Sequence, residues 1–251
     1  MQACKSYMPL FWSRGDSMSK AIRAIITDIE GTTTPLDFVK KILFPFSSKH
    51  LNDYVRARIE NNEMHKILLA VNNTAKEEFG ITLDTTGAIA LLQRWIEEDR
   101  KHPALKEIQG MMWHDGYKAE AFRGEVYQDV APSLNQWKSN NILLGVYSSG
   151  SVQAQKDLFT FSSAGNLAGL FRYFFDTKIG AKQDVKSYEA IVKTLTLAPS
   201  DILFLSDVIA ELDAAKAAGM HTIQLVREGT TPGTTHPTAA DFHAVSEQMD
   251  L

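Results

Sequence analysis

The stretch Ala24-Ile25-Ile26-Thr27-Asp28-Ile29-Glu30-Gly31-Thr32-Thr33-Thr34-Pro35 constrains the fold more than any other part of the chain. Its apolar, β-branched lead is hydrophobic on both faces and runs straight into turn residues, the pattern of a buried parallel strand. Asp28 and Glu30 then stand just past the C-terminal end of that strand, where open α/β sheets bind their ligands. Two carboxylates this close repel each other unless a cation lies between them or one keeps a proton. Either arrangement is useful for chemistry. The plain alternative is that both merely solvate a loop.

Three further β segments end in polar groups. Asn141-Ile142-Leu143-Leu144-Gly145-Val146-Tyr147 leads into Ser148-Ser149-Gly150-Ser151, with a helix bearing Val152, Leu158 and Phe159 behind it. Residues 171–176 form a third strand, and Thr177-Lys178-Ile179-Gly180-Ala181-Lys182 a loop before a helix over 187–195. Asp201-Ile202-Leu203-Phe204-Leu205 lands on Ser206-Asp207; a helix over 210–218 stops at Gly219, and 221–226 is a fifth strand. From Arg227 onward the chain is rich in Thr, Pro and Gly and reads mostly as loop. Strands alternating with helices predict a doubly wound, Rossmann-like parallel sheet.

Between the first strand and the rest the periodicity is helical, as in Met64, Ile67, Leu68 and Val71 and again in Ile89, Leu92, Trp95 and Ile96. Phe79-Gly80 and His102-Pro103 mark helix stops, and Asp84-Thr85-Thr86 an N-cap. The expected organisation is a catalytic core from residues 21–36 and 126–251, interrupted by an all-helical insertion of three to five helices over 37–125. Trp113, Tyr117 and Phe122 are expected in the core of that insertion.

The totals exclude several function classes. A formal charge of -4 over 251 residues supplies no electrostatic attraction for nucleic acid or an acidic membrane surface. No apolar run approaches the roughly 20 residues that cross a bilayer. Residues 1–20 lack the continuous apolar region of a signal peptide and read as a poorly ordered lead. Cys4 is the single cysteine, so an internal disulfide and a thiolate metal cluster are ruled out, as suits a cytoplasmic protein. A monomer is the default expectation.

The groups at the strand ends suit phosphoryl transfer. Asp28 can attack phosphorus as a carboxylate nucleophile. Glu30 can protonate the departing oxygen and then activate water. Ser148 and the amides after it can hold phosphate oxygens. Lys182 can neutralise the charge gathered there, and Asp207, with Glu211 four positions on, offers oxygen ligands to a hard cation such as magnesium. Each element alone is commonplace; their order, each after its own strand, is what carries the reading.

Those elements resemble the motifs of the haloacid dehalogenase-like hydrolase superfamily, including a lysine six residues before an aromatic, as Lys182 stands before Tyr188. The superfamily usually has Asp where this chain has Glu30. That departure, with Gly31-Thr32-Thr33-Thr34-Pro35, resembles the first motif of the acireductone synthases, the enolase-phosphatases of methionine salvage. The likeness continues through Asp99-Arg100-Lys101, Leu105-Lys106-Glu107-Ile108-Gln109-Gly110 and Trp113, then Tyr147-Ser148-Ser149-Gly150-Ser151, residues 175–182 and Leu203-Phe204-Leu205-Ser206-Asp207-Val208.

The resemblance implies an enzyme that enolises 2,3-diketo-5-methylthiopentyl-1-phosphate and then hydrolyses it to 1,2-dihydroxy-3-keto-5-methylthiopentene and phosphate. It implies one magnesium ion per chain, with Asp28, Glu30 (through its backbone oxygen) and Asp207 as ligands. Ser148, Ser149 and Lys182 would bind substrate, Asp28, Glu30 and Lys182 would be catalytic, and the helical insertion would be the cap. His102 and His114 are expected to be ordinary surface or core histidines. Another small-molecule phosphomonoesterase of the same superfamily, or a binding protein on this fold, are the competing readings.

Overall fold

A computed structural model describes residues 22–251; the expected N-terminal lead and Cys4 lie outside the described residues. A six-stranded parallel sheet holds β1 (Ala24–Thr27), β2 (Leu143–Tyr147), β3 (Tyr173–Phe175), β4 (Ile202–Ser206), β5 (His221–Leu225) and β6 (Thr238–Ala239) in the order β3-β2-β1-β4-β5-β6. The first strand is central: Thr27 pairs with Val146 on one side and with Leu205 on the other. The chain therefore builds outward from β1 in one direction and then in the other. Beside β1 the strand order reverses, and the C-terminal ends of β1, β2 and β4 lie together at that reversal, where such sheets bind ligands.

Alternation along each strand divides the side chains between two faces. Ile25, Leu144, Val146, Leu203 and Leu205 face one way and join Trp137 of α6 (Val130–Ser139) and Phe242 of α10 (Phe242–Met249). Ala24, Ile26, Tyr147 and Phe204 face the other way and pack with α8 (Val185–Leu195) and α9 (Ile209–Ala217). Burial on both faces is the reason the strands read as unbroken apolar runs.

The interrupting segment is helical. α1 (Leu36–Phe38) runs through a π-helical turn, Val39–Leu43, into α2 (Phe44–Ala57), and then come α3 (Asn62–Phe79), α4 (Thr85–Glu97) and α5 (Pro103–Lys118). Local chemistry sets their ends. Asn61 Oδ1 accepts from Glu63 N (2.7 Å), Asp84 Oδ1 accepts from Gly87 N (2.8 Å), and His102 Nδ1 accepts from Ala104 N (3.2 Å) ahead of Pro103. Gly80 closes α3 at φ +70°. Leu51, Met64, Val71, Leu92, Trp95 and Ile108 form an apolar cluster separate from those on the sheet. Among the described residues no helix is long and apolar enough to cross a membrane.

The segment after Arg227 is mostly loop, as expected, but it also carries β6 and α10. A two-residue strand and a helix with only Phe242 and Val245 buried leave too little periodicity to detect. The expected third strand shrinks to three residues. Tyr117 is buried in the sheet-side cluster, with Trp113 and Phe122 packed against it, instead of in the helical segment's own core. Periodicity assigns a residue to a face of its helix and is silent about which body covers that face.

The C-terminal segment is tied to the loop after β1 by a buried cation. Arg227 donates through Nε (3.2 Å) and Nη2 (3.1 Å) to the Thr32 carbonyl oxygen, and through Nη1 (2.9 Å) and Nη2 (2.7 Å) to the Asp129 carboxylate. Burial alone would raise the Asp129 carboxyl, but the Arg227 hydrogen bonds and the Phe242 N–H (2.8 Å) outweigh it and hold the group below its ordinary value. Arg227→Met is expected to cost about 3–5 kcal/mol, because it leaves a buried carboxylate without its partner. Urea unfolding at neutral pH measures this. The stability due to the pair exists above the ordinary aspartate range and is lost as pH falls through the lowered value.

Candidate active site

The chain turns sharply after β1. Asp28 N still donates to Leu205 O (2.8 Å), so the Asp28 side chain starts from a backbone locked to β4. Thr33 N and Thr34 N (each 2.9 Å) then donate to Ile29 O, which folds the loop back on itself. Gly31 sits at φ +72°, and a Cβ there would come within 2.5 Å of Asp207 Oδ2. Only glycine allows that approach and that backbone together. The row of hydroxyls is thus part of the turn that brings Asp28 and Asp207 together.

Lys182 lies between two carboxylates. Its Nζ donates to Asp28 Oδ1 at 2.6 Å and lies 2.7 Å from Glu211 Oε2, which also accepts from Ser206 Oγ (2.9 Å). Burial would lower the Lys182 pKa, but the charges of Asp28 and Glu211 reverse this and raise it, so the ammonium stays charged. Tyr188 OH donates to the Lys182 carbonyl oxygen (2.7 Å), which explains the six-residue spacing of lysine and aromatic. Glu211, expected as an extra metal ligand, is instead engaged as the second counter-ion of Lys182. That role needs the start of α9 and the 177–182 loop to meet, which no local pattern encodes.

The remaining carboxyls carry the strain of crowding. Burial, then the Asp28 charge, pushes Asp207 up to about 6 and Glu211 to about 7, the latter against the pull of Lys182. Glu30 is raised by burial and by Asp28, against Lys101 and Lys182. Asp207 Oδ1 is buried with no hydrogen-bond partner. An orphaned anionic oxygen beside a second carboxylate costs free energy unless a cation supplies the missing charge. The donors are all oxygen, which suits magnesium. Among the described residues no three acidic, histidine or cysteine side chains converge on one point.

Ser148 follows β2 and is buried; its N donates to Phe175 O (3.2 Å) and its Oγ accepts from Gly150 N (3.3 Å). Ser149 is exposed, and Ser151 caps α7 (Val152–Thr160) by accepting from Ala154 N (3.2 Å). Glu30, Ser148 and Ser149 line a cavity of about 120 Å³ between the sheet edge and the helical segment. Val39, Leu43, Phe44, Leu105, Trp113 and Tyr117 form its apolar wall. Asp28, Lys182 and Asp207 form the charged cluster beside Glu30. The π-helical turn contributes two of the wall residues, an irregularity often found where a helix serves a site.

Reasoning from sequence named the charged groups that the helical segment sends to this site only as part of a resemblance and gave them no role. Lys106 Nζ reaches Ser149 O (3.5 Å), and Asp99 and Lys101 line the cavity. His102 and His114 are elsewhere: His102 caps α5, contacts Thr74 Oγ1 through Nε2 (3.0 Å) and stacks on Trp95, and His114 Nδ1 meets Asp157 Oδ2 (3.0 Å).

Residues 22–219 match the haloacid dehalogenase-like hydrolase family. The chain is 51% identical over 225 residues to Enolase-phosphatase E1 of Picosynechococcus sp., covering 90% of this chain and 98% of that protein. It is 46% identical over 228 residues to Enolase-phosphatase E1 of Methylococcus capsulatus, covering 91% and 99%. Among solved structures, the UTR4 protein of Saccharomyces cerevisiae superposes with a TM-score of 0.73 at 30% identity over 88% of this chain and 98% of that one. CbbY of Rhodobacter sphaeroides in complex with phosphate reaches 0.57 at 16% identity over 92% of this chain and 100% of that one, a likeness of fold alone.

Proposed function

Because the chain belongs to the haloacid dehalogenase-like hydrolases and, within them, to the enolase-phosphatases, we propose that it enolises and then dephosphorylates 2,3-diketo-5-methylthiopentyl-1-phosphate in methionine salvage. The observation that supports this best is the meeting of Asp28, Glu30, Lys182, Asp207 and Ser148 at the reversal point of the sheet, beside a cavity whose far wall is apolar. The charged end suits a phosphate; Phe44, Leu43 and Trp113 suit a methylthioalkyl tail.

In this reading Asp28 attacks phosphorus, opposite an ester oxygen that receives the Glu30 proton. Burial and the neighbouring Asp28 charge favour the protonated form of Glu30, which is what a general acid needs. Lys182 keeps Asp28 oriented and offsets the negative charge brought by the phosphate. Ser148 and the amides before α7 hold the transferred group's oxygens. Glu30, once deprotonated, activates the water that releases phosphate from Asp28. Magnesium held by the Asp28 and Asp207 carboxylates and the Glu30 backbone oxygen would supply positive charge to the phosphate and to the diketone oxygens. Residues 37–125 act as a cap that keeps bulk water from the reaction.

Incubating the purified protein anaerobically with the diketo phosphate and magnesium is expected to give a rise in enol absorbance together with stoichiometric phosphate. Removing the metal with a chelator is expected to slow phosphate release by at least about 100-fold, and added magnesium to restore it. Phosphate release without an enol signal would mark a plain phosphomonoesterase and overturn the reading.

A further inference from the structure

The cavity contains a charged pair that the ester-cleaving step does not use. Among the residues that line it, the carboxylates are Glu30 and Asp99, and Glu30 is committed to the ester oxygen. Asp99 stands at the turn between α4 and α5. Its N donates to Ile96 O (3.2 Å) and Arg100 N donates to Trp95 O (2.9 Å), the two hydrogen bonds of a helix end that normally has glycine at the middle position. Here that position is aspartate at φ +50°. Aspartate tolerates this backbone better than most side chains do, and the turn places it among the residues that line the cavity.

The neighbours of Asp99 suit a role there. Lys101 Nζ pairs directly with Asp99 Oδ1 and lies 5.6 Å from the centre of the Phe44 ring, part of the same cavity wall. Both charges are close enough to act on the Glu30 carboxyl. Arg100, between them, is pinned by Glu78 (Nη1 to Oε2, 2.9 Å) and lies over Trp95. The turn therefore presents an acceptor and a cation together, opposite the sheet edge.

We propose that Asp99 and Lys101 are the catalytic pair of the enolisation, Asp99 as the base at C1 of the diketo phosphate and Lys101 as the acid at the C2 carbonyl oxygen. This rests on the enolase-phosphatase reading above. The C1–H bond breaks as its proton passes to Asp99. Its electron pair becomes the C1–C2 double bond, and the displaced carbonyl pair takes a proton from the Lys101 ammonium to give the enol hydroxyl. Asp99, in contact with the resulting amine, returns its proton to Lys101. The step is an isomerisation and consumes nothing.

The experiment uses the full chain with magnesium and follows two readouts: enol absorbance from the diketo phosphate under anaerobic conditions, and phosphate release from phenyl phosphate, which has no proton to abstract. Asp99→Asn and Asp99→Gly both tolerate the left-handed backbone, and the glycine variant is expected to melt no lower than the parent. Both are expected to form enol at least about 100-fold more slowly while hydrolysing phenyl phosphate within about threefold of the parent. Lys101→Met is expected to show the same split. Enol formation that slows by less than about tenfold in both Asp99 variants, or ester hydrolysis that falls in parallel with it, overturns the assignment. Failure of the underlying reading is distinct: it appears in the unaltered protein, as phosphate from the diketo phosphate with no enol absorbance.

Discussion

Asp28→Asn is expected to lower phosphate release by at least about 10⁴-fold, since an amide cannot serve as the nucleophile that forms the phosphoenzyme. The same change is expected to leave the fold intact. Lys182 keeps a carboxylate partner in Glu211 at 2.7 Å, so no buried cation is stranded. Asp28 is also a cause of the raised pKa of Glu30, Asp207 and Glu211, and removing its charge relieves all three. With chelator present, the variant is therefore expected to be at least as stable as the parent in urea unfolding, which separates lost chemistry from lost structure. Enol absorbance from the diketo phosphate is expected to persist if, as proposed above, the proton transfers belong to other groups. A variant that kept substantial phosphate release would rule out Asp28 as the nucleophile.

Lys182→Met is expected to do the opposite to stability. One ammonium at 2.6 and 2.7 Å compensates two buried carboxylates, and the apolar replacement leaves both facing each other without a cation. Removing one member of such a set costs about 3–5 kcal/mol, a large share of the stability of a domain this size. The deficit depends on pH with a definite sign. In the variant Glu211, already raised by burial and by the Asp28 charge, loses the cation that pulls it down, so the folded protein binds more protons than the unfolded one, and stability falls as pH rises from the ordinary carboxylate range through the raised value. Urea unfolding with chelator is therefore expected to show a deficit greatest at about pH 8 and smaller at about pH 5. Phosphate release is expected to drop by about 10³-fold or more at either pH, since the charge that offsets the phosphate is gone. A Lys182→Met protein with parental stability at neutral pH would show that Asp28 and Glu211 do not depend on this cation.

Asp28 and Lys182 are legible in the sequence because each follows its own strand and carries a local mark: the carboxylate two residues before Glu30, and the lysine six residues before Tyr188. Glu211 is visible as an acidic residue four positions after Asp207, but its role is not, because pairing with Lys182 depends on two segments meeting in space. Asp99 and Lys101 stand out in the sequence only as part of a resemblance. Their left-handed turn and the cavity they face exist only once α4 and α5 are packed.

Most of the elements and their order are written in the chain itself: which runs are buried strands, where the helical segment interrupts them, and that Asp84 caps one of its helices. These follow from periodicity and from hydrogen bonds within a few residues, so a local window contains the cause. Three features belong to the folded molecule alone. Tyr117 joins the sheet-side core, Arg227 grips Thr32 and Asp129, and the C-terminal segment completes the sheet with β6. Each of those joins residues far apart in the chain, or chooses between two bodies that present equally apolar faces. The hydrophobic effect rewards burial without naming the partner, so the choice is made by shape and by pairing of charge, and it becomes visible only when the chain has folded.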